Sequence, residues 1–169
     1  MKRTLIVIDM QNDFIDGTLG TKEAVAIVPA VRRKIEEYRS RGDEVIFTRD
    51  THGGDYLQTP EGKKLPVVHC VKGTPGWQIE ASLPTQSCRI IDKPTFGYAH
   101  WEEFSFEAVE LAGLCTDICV VSNALILKAL FPEAEISIDA ACCAGVTPQS
   151  HAAALTTMKM CQIDVRDAD

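Results

Sequence analysis

The amino-acid sequence contains no apolar run long enough to cross a membrane. Its first apolar segment follows Met1-Lys2-Arg3 and ends at Ile8, because Asp9 interrupts it. Such a segment is far shorter than a transmembrane helix and too short for the apolar part of a signal peptide. We therefore expect a cytoplasmic protein with no membrane partner.

Positive charge is also scarce. The chain has 17 lysine and arginine residues against 24 aspartate and glutamate residues, which gives a formal net charge of -7. Proteins that bind nucleic acids or anionic membranes usually concentrate Lys and Arg on one surface. The charge balance therefore argues against nucleic acid as a partner and favours small-molecule chemistry.

The sequence has many cysteines, but its one pair of adjacent cysteines does not have the spacing typical of redox or zinc motifs. Cys142-Cys143 does not have the CxxC spacing, and the total of seven cysteines cannot be paired completely within one chain. Thiols of a cytosolic protein are kept reduced. We interpret the cysteines as core residues, with at most one reactive thiol among them.

Low-complexity sequence is absent too, and the composition is that of a folded globular protein. Apolar residues make up 46% and charged residues 24% of the 169 residues. A domain of this length buries roughly 70% of the surface of its unfolded chain. We therefore expect residues 1–169 to form one domain.

Short β-branched segments alternate with amphipathic segments along the chain. Residues 5–8 are apolar throughout, as in a strand buried on both faces of a parallel sheet. Further strands are predicted near residues 45–48, 89–91, 108–112, 136–138 and 162–165. Helices are predicted over 24–41, over 117–130 and after the N-cap residue Thr147. This alternation predicts an α/β fold with a parallel sheet covered by helices on both faces.

Reactive side chains follow four of the predicted strands. In an open parallel sheet, ligands bind outside the carboxyl ends of the strands. The residues at these ends are Asp9 after the first strand, Asp50 and His52 after the second, Lys93 after the third and Cys119 shortly after the fourth. Residues that are far apart in sequence are therefore expected to meet at one edge of the sheet.

Cys119 is the strongest candidate for a reactive residue. It lies at the predicted start of a helix, where free backbone amides and the helix dipole stabilise a thiolate. Asp9 can accept the thiol proton, and Lys93 can stabilise the thiolate and orient the carboxylate. Because an aspartate at a strand end often only caps a turn, the prediction depends on the three residues together.

Asp50, His52 and His69 allow two interpretations. Two histidines and one carboxylate suit zinc, iron or manganese and leave positions open for water or substrate. Alternatively, the histidines are loop residues that bond to backbone carbonyl groups. Both lie in the segment 51–83, which shows no clear helix or strand period. The spacing alone leaves the two interpretations open.

The ordered set of motifs resembles the isochorismatase-like cysteine hydrolases, and within them the nicotinamidase/pyrazinamidase branch. The matching segments, in the order that the family shows, are LIVIDMQNDF at 5–14, TRDTH at 48–52, HCVKGTPG at 69–76, Lys93 and GLCTDICV at 113–120. Two family features are missing. Residues 64–68 lack the tryptophan that some nicotinamidases carry there, and the extra histidine of some members is replaced near Tyr56.

The resemblance implies a six-stranded parallel sheet in a three-layer αβα fold and a set of site residues. The implied catalytic triad is Asp9, Lys93 and Cys119. The implied ligands of a divalent metal, zinc first and iron or manganese as alternatives, are Asp50, His52 and His69. A cis peptide bond between Leu114 and Cys115 would direct the amides of Cys115 and Cys119 at an oxyanion. The expected pocket walls are Phe14, Trp77, Tyr98 and Leu114.

The expected function is hydrolysis of a small-molecule amide. Nicotinamide, converted to nicotinate and ammonia, is the best candidate and would connect the protein to NAD salvage. Another amide, a ureide or a carbamoyl compound is the alternative within the same class. A non-catalytic small-molecule-binding protein on the same scaffold is the alternative of another class, and a redox sensor is a weaker third. The resemblance also implies a homo-oligomer.

Overall fold

The computed structural model describes residues 1–167 and contains a six-stranded sheet in which neighbouring strands are parallel. The strands are β1 (Arg3–Ile8), β2 (Glu44–Asp50), β3 (Arg89–Lys93), β4 (Ala108–Leu114), β5 (Glu135–Ala144) and β6 (Asp164–Arg166). Their order across the sheet is β3-β2-β1-β4-β5-β6. The predicted α/β fold with a parallel sheet is confirmed.

Helices cover both faces of this sheet. They are α1 (Asn12–Ile15), α2 (Lys22–Ser40), α3 (Pro60–Lys64), α4 (Val121–Leu130) and α5 (Pro148–Met160). Thr21 caps the start of α2 and Thr147 that of α5, because each side-chain oxygen accepts a backbone amide three residues later. None of the helices within residues 1–167 has both the length and the apolar character needed to span a bilayer.

Strand β1 explains why the core has two layers. Its side chains alternate between the two faces of the sheet. Leu5 and Val7 pack in the cluster that includes α2 residues, whereas Ile6 and Ile8 pack in the cluster that includes residues of α4 and α5. All four are fully buried. The apolar run 5–8 is thus the central strand of the sheet, with β2 and β4 as its neighbours.

Three elements differ from the sequence-based expectation. Strand β5 extends to Ala144, six residues beyond the predicted end, past a register shift against β4 between Leu111 and Gly113. The predicted helix 117–130 is divided into a π-helical turn, Thr116–Val120, and α4. The segment 51–83 contains α3 and two 3₁₀ turns, Tyr56–Gln58 and Pro75–Trp77. These short elements are held by tertiary contacts, so they have no repeating apolar pattern to reveal them.

Gly113 brings the end of β4 against the end of β1. Its φ is +122°, and a Cβ at this position would lie 2.1 Å from the carbonyl oxygen of Ile8. Only glycine combines this backbone conformation with such a close approach. Leu114 then ends β4, and Cys115 leaves the sheet near Asp9, which follows β1.

Candidate active site

Asp9 and Lys93 form a buried salt bridge at the carboxyl edge of the sheet. Lys93 is the last residue of β3, and its Nζ lies 2.6 Å from Oδ2 of Asp9 with both side chains 0% exposed. The Thr48 hydroxyl donates to Asp9 Oδ1 at 2.7 Å and so orients the carboxylate. Burial lowers the pKa of Lys93, but the negative charge of Asp9, together with that of Cys119 when its thiol is ionised, outweighs burial and raises the pKa. Lys93 therefore stays protonated.

Cys119 lies in the π-helical turn that follows β4, and its side chain is buried. Burial and the negative charge of Asp9 raise the pKa of the Cys119 thiol, although Lys93 opposes them. The pKa of this thiol is thus shifted in the opposite direction to the one expected for a cysteine at a helix N-terminus. Burial also raises the pKa of Asp9, although Lys93 lowers it. Asp9 is consequently the adjacent group able to take up a proton.

The peptide bond between Leu114 and Cys115 is cis, as the family resemblance implied. It lies between the end of β4 and the π-helical turn that carries Cys119. The side chains of Cys115 and Cys119 line the same cavity. The structure therefore brings the predicted nucleophile, base and charged partner together, with Cys115 beside them.

The predicted metal ligands also converge, and a fourth residue joins them. Asp50, His52, His69 and Glu61 each offer a donor atom, and these atoms lie within 4.8 Å of one another. His52 Nε2 is 2.8 Å from Asp50 Oδ2, and 3.7 Å from Glu61 Oε1. His69 Nε2 is 3.5 Å from Asp50 Oδ2. The sequence analysis missed Glu61, which lies on the short helix α3.

The cluster fits a divalent metal ion. Asp50 Oδ1 is buried and has no hydrogen-bond partner among residues 1–167. Such an orphaned carboxylate oxygen is costly unless a cation compensates it. Two imidazoles with two carboxylates form a donor set that suits zinc and its neighbours in the first transition series. The geometry favours the metal interpretation of Asp50, His52 and His69.

His69 combines the two interpretations that the sequence left open. Its Nδ1 bonds to the carbonyl oxygen of Val67 at 2.7 Å, and its Nε2 faces Asp50. Burial lowers the pKa of His69, but the bonds to Asp50 and Val67 outweigh it and raise the pKa. Metal-bound histidines commonly bond a backbone carbonyl with their other nitrogen, and the two nitrogens of His69 fit that arrangement.

Gln11 attaches the backbone of Asp50, one of the candidate metal ligands, to the end of β1. Its side-chain oxygen accepts the amide of Asp50 at 2.7 Å. Its side-chain nitrogen donates to the carbonyl oxygens of Asp50, at 2.8 Å, and Trp77, at 2.9 Å. The sequence analysis assigned Gln11 no role, and its place in the motif at 5–14 was the one available signal.

A cavity of about 250 Å³ lies between Cys119 and the candidate metal ligands. Among the residues expected as walls, Phe14 lines it, whereas Trp77, Tyr98 and Leu114 do not. The remaining apolar walls are Leu19, Leu65, Phe96, Ile118 and Val146. No lysine or arginine is among the lining residues described.

Each of the three other residues has a different environment. The indole nitrogen of Trp77 donates to Thr51 Oγ1 at 2.9 Å, and the guanidinium of Arg49 lies 3.6 Å from its ring centroid. Leu114 is buried in the core cluster on the α2 side. The ring of Tyr98 packs edge to face on Trp101 at 5.0 Å. Side-chain direction, which the sequence does not reveal, keeps them out of the cavity wall.

Known proteins share this chain's sequence pattern and fold. Residues 3–169 match the family model described as "Isochorismatase domain". The nicotinamidase/pyrazinamidase of Mycobacterium tuberculosis is 27% identical over 188 aligned positions, which cover 96% of this chain and 97% of that protein. The solved pyrazinamidase of Pyrococcus horikoshii in complex with zinc superposes with a TM-score of 0.86, at 25% identity, over 99% of this chain and 100% of that chain. The solved N-carbamoylsarcosine amidase of Thermoplasma acidophilum superposes with a TM-score of 0.82, also at 25% identity, over 100% of this chain and 98% of that chain.

Proposed function

The chain belongs to the isochorismatase family of hydrolases, and we propose that it uses Cys119 to hydrolyse a small neutral carboxamide. Nicotinamide, which yields nicotinate and ammonia, is the best candidate, and residues 1–169 act as a single cysteine hydrolase domain. The observation that carries the proposal is the buried pair of Asp9 and Lys93 beside Cys119, at a cavity of about 250 Å³.

In the first half of the reaction, Asp9 accepts the proton of the Cys119 thiol as the sulfur attacks the carbonyl carbon. The positive charge of Lys93 stabilises the negative charge that this transfer creates. Amides of Cys115 and Cys119 donate to the oxyanion. When the carbon–nitrogen bond breaks, Asp9 returns the proton to the leaving nitrogen, and ammonia departs from a thioester on Cys119.

In the second half, a water molecule attacks the thioester carbon while Asp9 accepts one of its protons. The oxyanion again accepts hydrogen bonds from the backbone amides of Cys115 and Cys119. The carbon–sulfur bond then breaks, the carboxylic acid leaves, and the proton held by Asp9 returns to the sulfur. One carboxylate thus serves both steps, which suits an aspartate whose pKa burial has raised.

Asp50, His52, Glu61 and His69 would hold a divalent ion, with zinc the first choice and iron or manganese the alternatives. When bound, the ion supplies a coordination position for a ring nitrogen and so orients the substrate. The fit is supported by the orphaned Oδ1 of Asp50 and by the zinc complex of the Pyrococcus relative. Phe14 and Leu19 contribute apolar wall for the ring.

The second candidate is a carbamoyl compound, because the Thermoplasma N-carbamoylsarcosine amidase shares the fold. N-Carbamoylsarcosine itself carries a carboxylate. No lysine or arginine lines the described cavity, whereas Asp50 and Glu61 do. Because no basic side chain of the described lining can pair with a substrate carboxylate, the cavity favours a neutral amide over a carboxylate-bearing one.

The deciding experiment is ammonia release from nicotinamide, pyrazinamide, a panel of other neutral amides and N-carbamoylsarcosine. We expect release from nicotinamide that Cys119→Ala abolishes and that Cys88→Ala, a thiol outside the cavity wall, leaves unchanged. Turnover by a folded Cys119→Ala variant would refute the mechanism. Activity confined to N-carbamoylsarcosine would replace the substrate assignment.

The alternative hypothesis, a non-catalytic binding protein, predicts a different result. It would bind an amide without forming a covalent adduct. Acid quenching during turnover, followed by peptide mass mapping, should find the acyl group of the substrate on Cys119. Binding without either an adduct or ammonia would favour the non-catalytic alternative.

A further inference from the structure

Asn123 is a fully buried amide on α4 that the steps above do not use. Its Nδ2 donates to the carbonyl oxygens of Cys119, at 2.8 Å, and Phe96, at 3.1 Å. Its Oδ1 accepts the backbone amide of Tyr98 and the indole N–H of Trp101, each at 2.9 Å. All four hydrogen-bonding positions of the amide are therefore occupied. Fully satisfied buried networks of this kind hold one local arrangement.

These four bonds join two parts of the candidate active site. Cys119 is the proposed nucleophile, and the side chain of Phe96 forms part of the cavity wall. Phe96 lies on the segment 94–101, which follows β3 and ends at the first residue of the 3₁₀ turn Trp101–Glu103. Asn123 is thus a direct link between the backbone that carries the sulfur and the backbone that carries one wall.

The segment 94–101 is held at two points. At its start, Lys93 Nζ donates to the carbonyl oxygen of Thr95 at 3.0 Å. Further along, Gly97 lies so close to α4 that a Cβ would be 2.5 Å from Cδ1 of Ile126. This close approach places Phe96 and Tyr98 within reach of Asn123. The side chain of Phe96 is 40% exposed, so the backbone bonds, more than burial, determine its position.

We propose that Asn123 is a positioning residue for the reaction of Cys119. It holds the nucleophile and the Phe96 wall in one spatial relation, so that a bound carboxamide presents its carbon to the sulfur. This inference rests on the proposed function. Loss of the bond to Cys119 acts on kcat, because the sulfur is displaced from its attack position. Loss of the bonds to the segment 94–101 acts on KM, because the wall is no longer fixed.

The test compares three variants by kcat and KM for the best carboxamide substrate. Asn123→Leu keeps a similar volume and removes all four bonds. Ser122→Ala is the matched control, because Ser122 Oγ donates to the carbonyl oxygen of Ile118 in the same turn, at 2.6 Å, without a bond to the segment 94–101. Trp101→Phe removes one donor and keeps the bonds from Asn123 to Cys119 and Phe96.

We expect Asn123→Leu to lower kcat/KM on the order of 10²-fold, with both a lower kcat and a higher KM. Ser122→Ala should stay close to the wild-type values, whereas Trp101→Phe, which removes one bond to the segment 94–101, should raise KM and leave kcat nearly unchanged. A folded Asn123→Leu variant with unchanged kcat and KM would overturn the proposal. An equal loss in Ser122→Ala would overturn it too, since the effect would then belong to the whole turn.

A second measurement requires neither that variant nor catalysis. In the wild-type protein, the backbone amide of Tyr98 should exchange with solvent as slowly as amides of β4, because it donates to a buried acceptor. Rapid exchange of this amide would overturn the proposed link. If the wild-type protein released ammonia from no amide while Tyr98 remained protected, the proposed function would fail and the link would stand.

Discussion

At the scale of single residues, the buried pair of Asp9 and Lys93 is the most sensitive feature of the site. Neither side chain is exposed, and their charges lie 2.6 Å apart. Thr48 donates to Asp9 Oδ1, and the carbonyl oxygen of Thr95 accepts from Lys93, so among residues 1–167 Asp9 Oδ2 has only the Lys93 charge to compensate it. A buried charge is tolerated only while its partner is present, so the two residues depend on each other for folding as well as for chemistry.

Substitution of Lys93 by Met should destabilise the protein by about 3–5 kcal/mol, because Asp9 is left buried without a compensating charge. The double variant Asp9→Asn, Lys93→Met should recover most of this loss and still release no ammonia. Urea unfolding gives the free energies. Arg32→Met, which breaks the exposed pair with Glu36, is the control and should cost no more than about 0.5 kcal/mol. A double variant as unstable as Lys93→Met would contradict the expectation.

Glu61 is the residue whose role depends most on the metal. Glu61→Gln keeps the shape of the side chain but removes its negative charge and weakens it as a ligand. We expect zinc affinity to fall by at least about tenfold, the lower end of losses seen for residues that only support ligands. Competition with a chromogenic chelator measures the affinity. Glu23→Gln, at the start of α2, should leave it unchanged, and an unchanged affinity in Glu61→Gln would remove Glu61 from the ligand set.

At the scale of elements, α2 is attached to the sheet by a polar contact with β4. Glu110 is buried on β4 and accepts a hydrogen bond from Lys34 Nζ at 3.0 Å and from the Tyr38 hydroxyl at 2.5 Å. Lys34 also lies 2.7 Å from Asp139 of β5. Burial and Glu110 raise the pKa of Tyr38. Burial lowers the pKa of Lys34, but its bonds to Asp139 and Glu110 outweigh it and raise the pKa.

The contact should make stability fall at alkaline pH. Lys34 and Tyr38 hold their protons more tightly in the folded protein, so their contribution is complete below the unfolded pKa values of about 10. This stabilising contribution is lost as the pH rises through the pKa values of the two groups in the folded protein. Between about pH 9 and about pH 11.5, the free energy of unfolding should therefore decline more steeply for the wild type than for the variant Lys34→Met, Tyr38→Phe. Lys22→Met should keep the wild-type slope; equal slopes in all three would contradict the expectation.

At the scale of the whole molecule, the candidate metal site attaches the long segment between β2 and β3 to the edge of the sheet. Asp50 ends β2, His52 and His69 lie in the connection, and Glu61 is on α3 within it. A metal bound to the folded state adds stability that depends on its concentration, by about 2.7 kcal/mol at 100 times its Kd. A bound metal should stabilise the segment between β2 and β3 as well as the fold as a whole.

Removal of metal by a chelator should lower the melting temperature and speed amide exchange in residues 51–77. Exchange in β4, β5 and β6 should change little below the unfolding temperature, because these strands contribute no ligand. Mass spectrometry of exchanged peptides measures both regions. The variant His52→Ala, treated in the same way, should show no further change. A uniform increase across the sheet would contradict a local role.

The sequence by itself determined the alternation of strands and helices, the parallel sheet and the residues at its carboxyl edge. The β-branched apolar run 5–8 is typical of a doubly buried strand, and Thr147 followed by Pro148 is a local signal for the start of a helix. Asp9, Lys93 and Cys119 could be predicted as neighbours because parallel strands place their carboxyl ends on one edge. The spacing of Asp50, His52 and His69 allowed either a metal site or loop histidines, and the family resemblance implied the metal site.

Tertiary structure alone decided which other side chains meet these residues and in what state. Glu61, Thr48 and Asn123 contact the site from segments whose local pattern carries no such information. Trp77, Tyr98 and Leu114 are turned into packed surroundings, whereas Leu65 and Phe96 form the cavity wall. The pKa of the Cys119 thiol is raised because burial and the charge of Asp9 outweigh Lys93. Distances between remote segments and the loss of solvent are properties of the packed chain, so no reading of neighbouring residues could supply them.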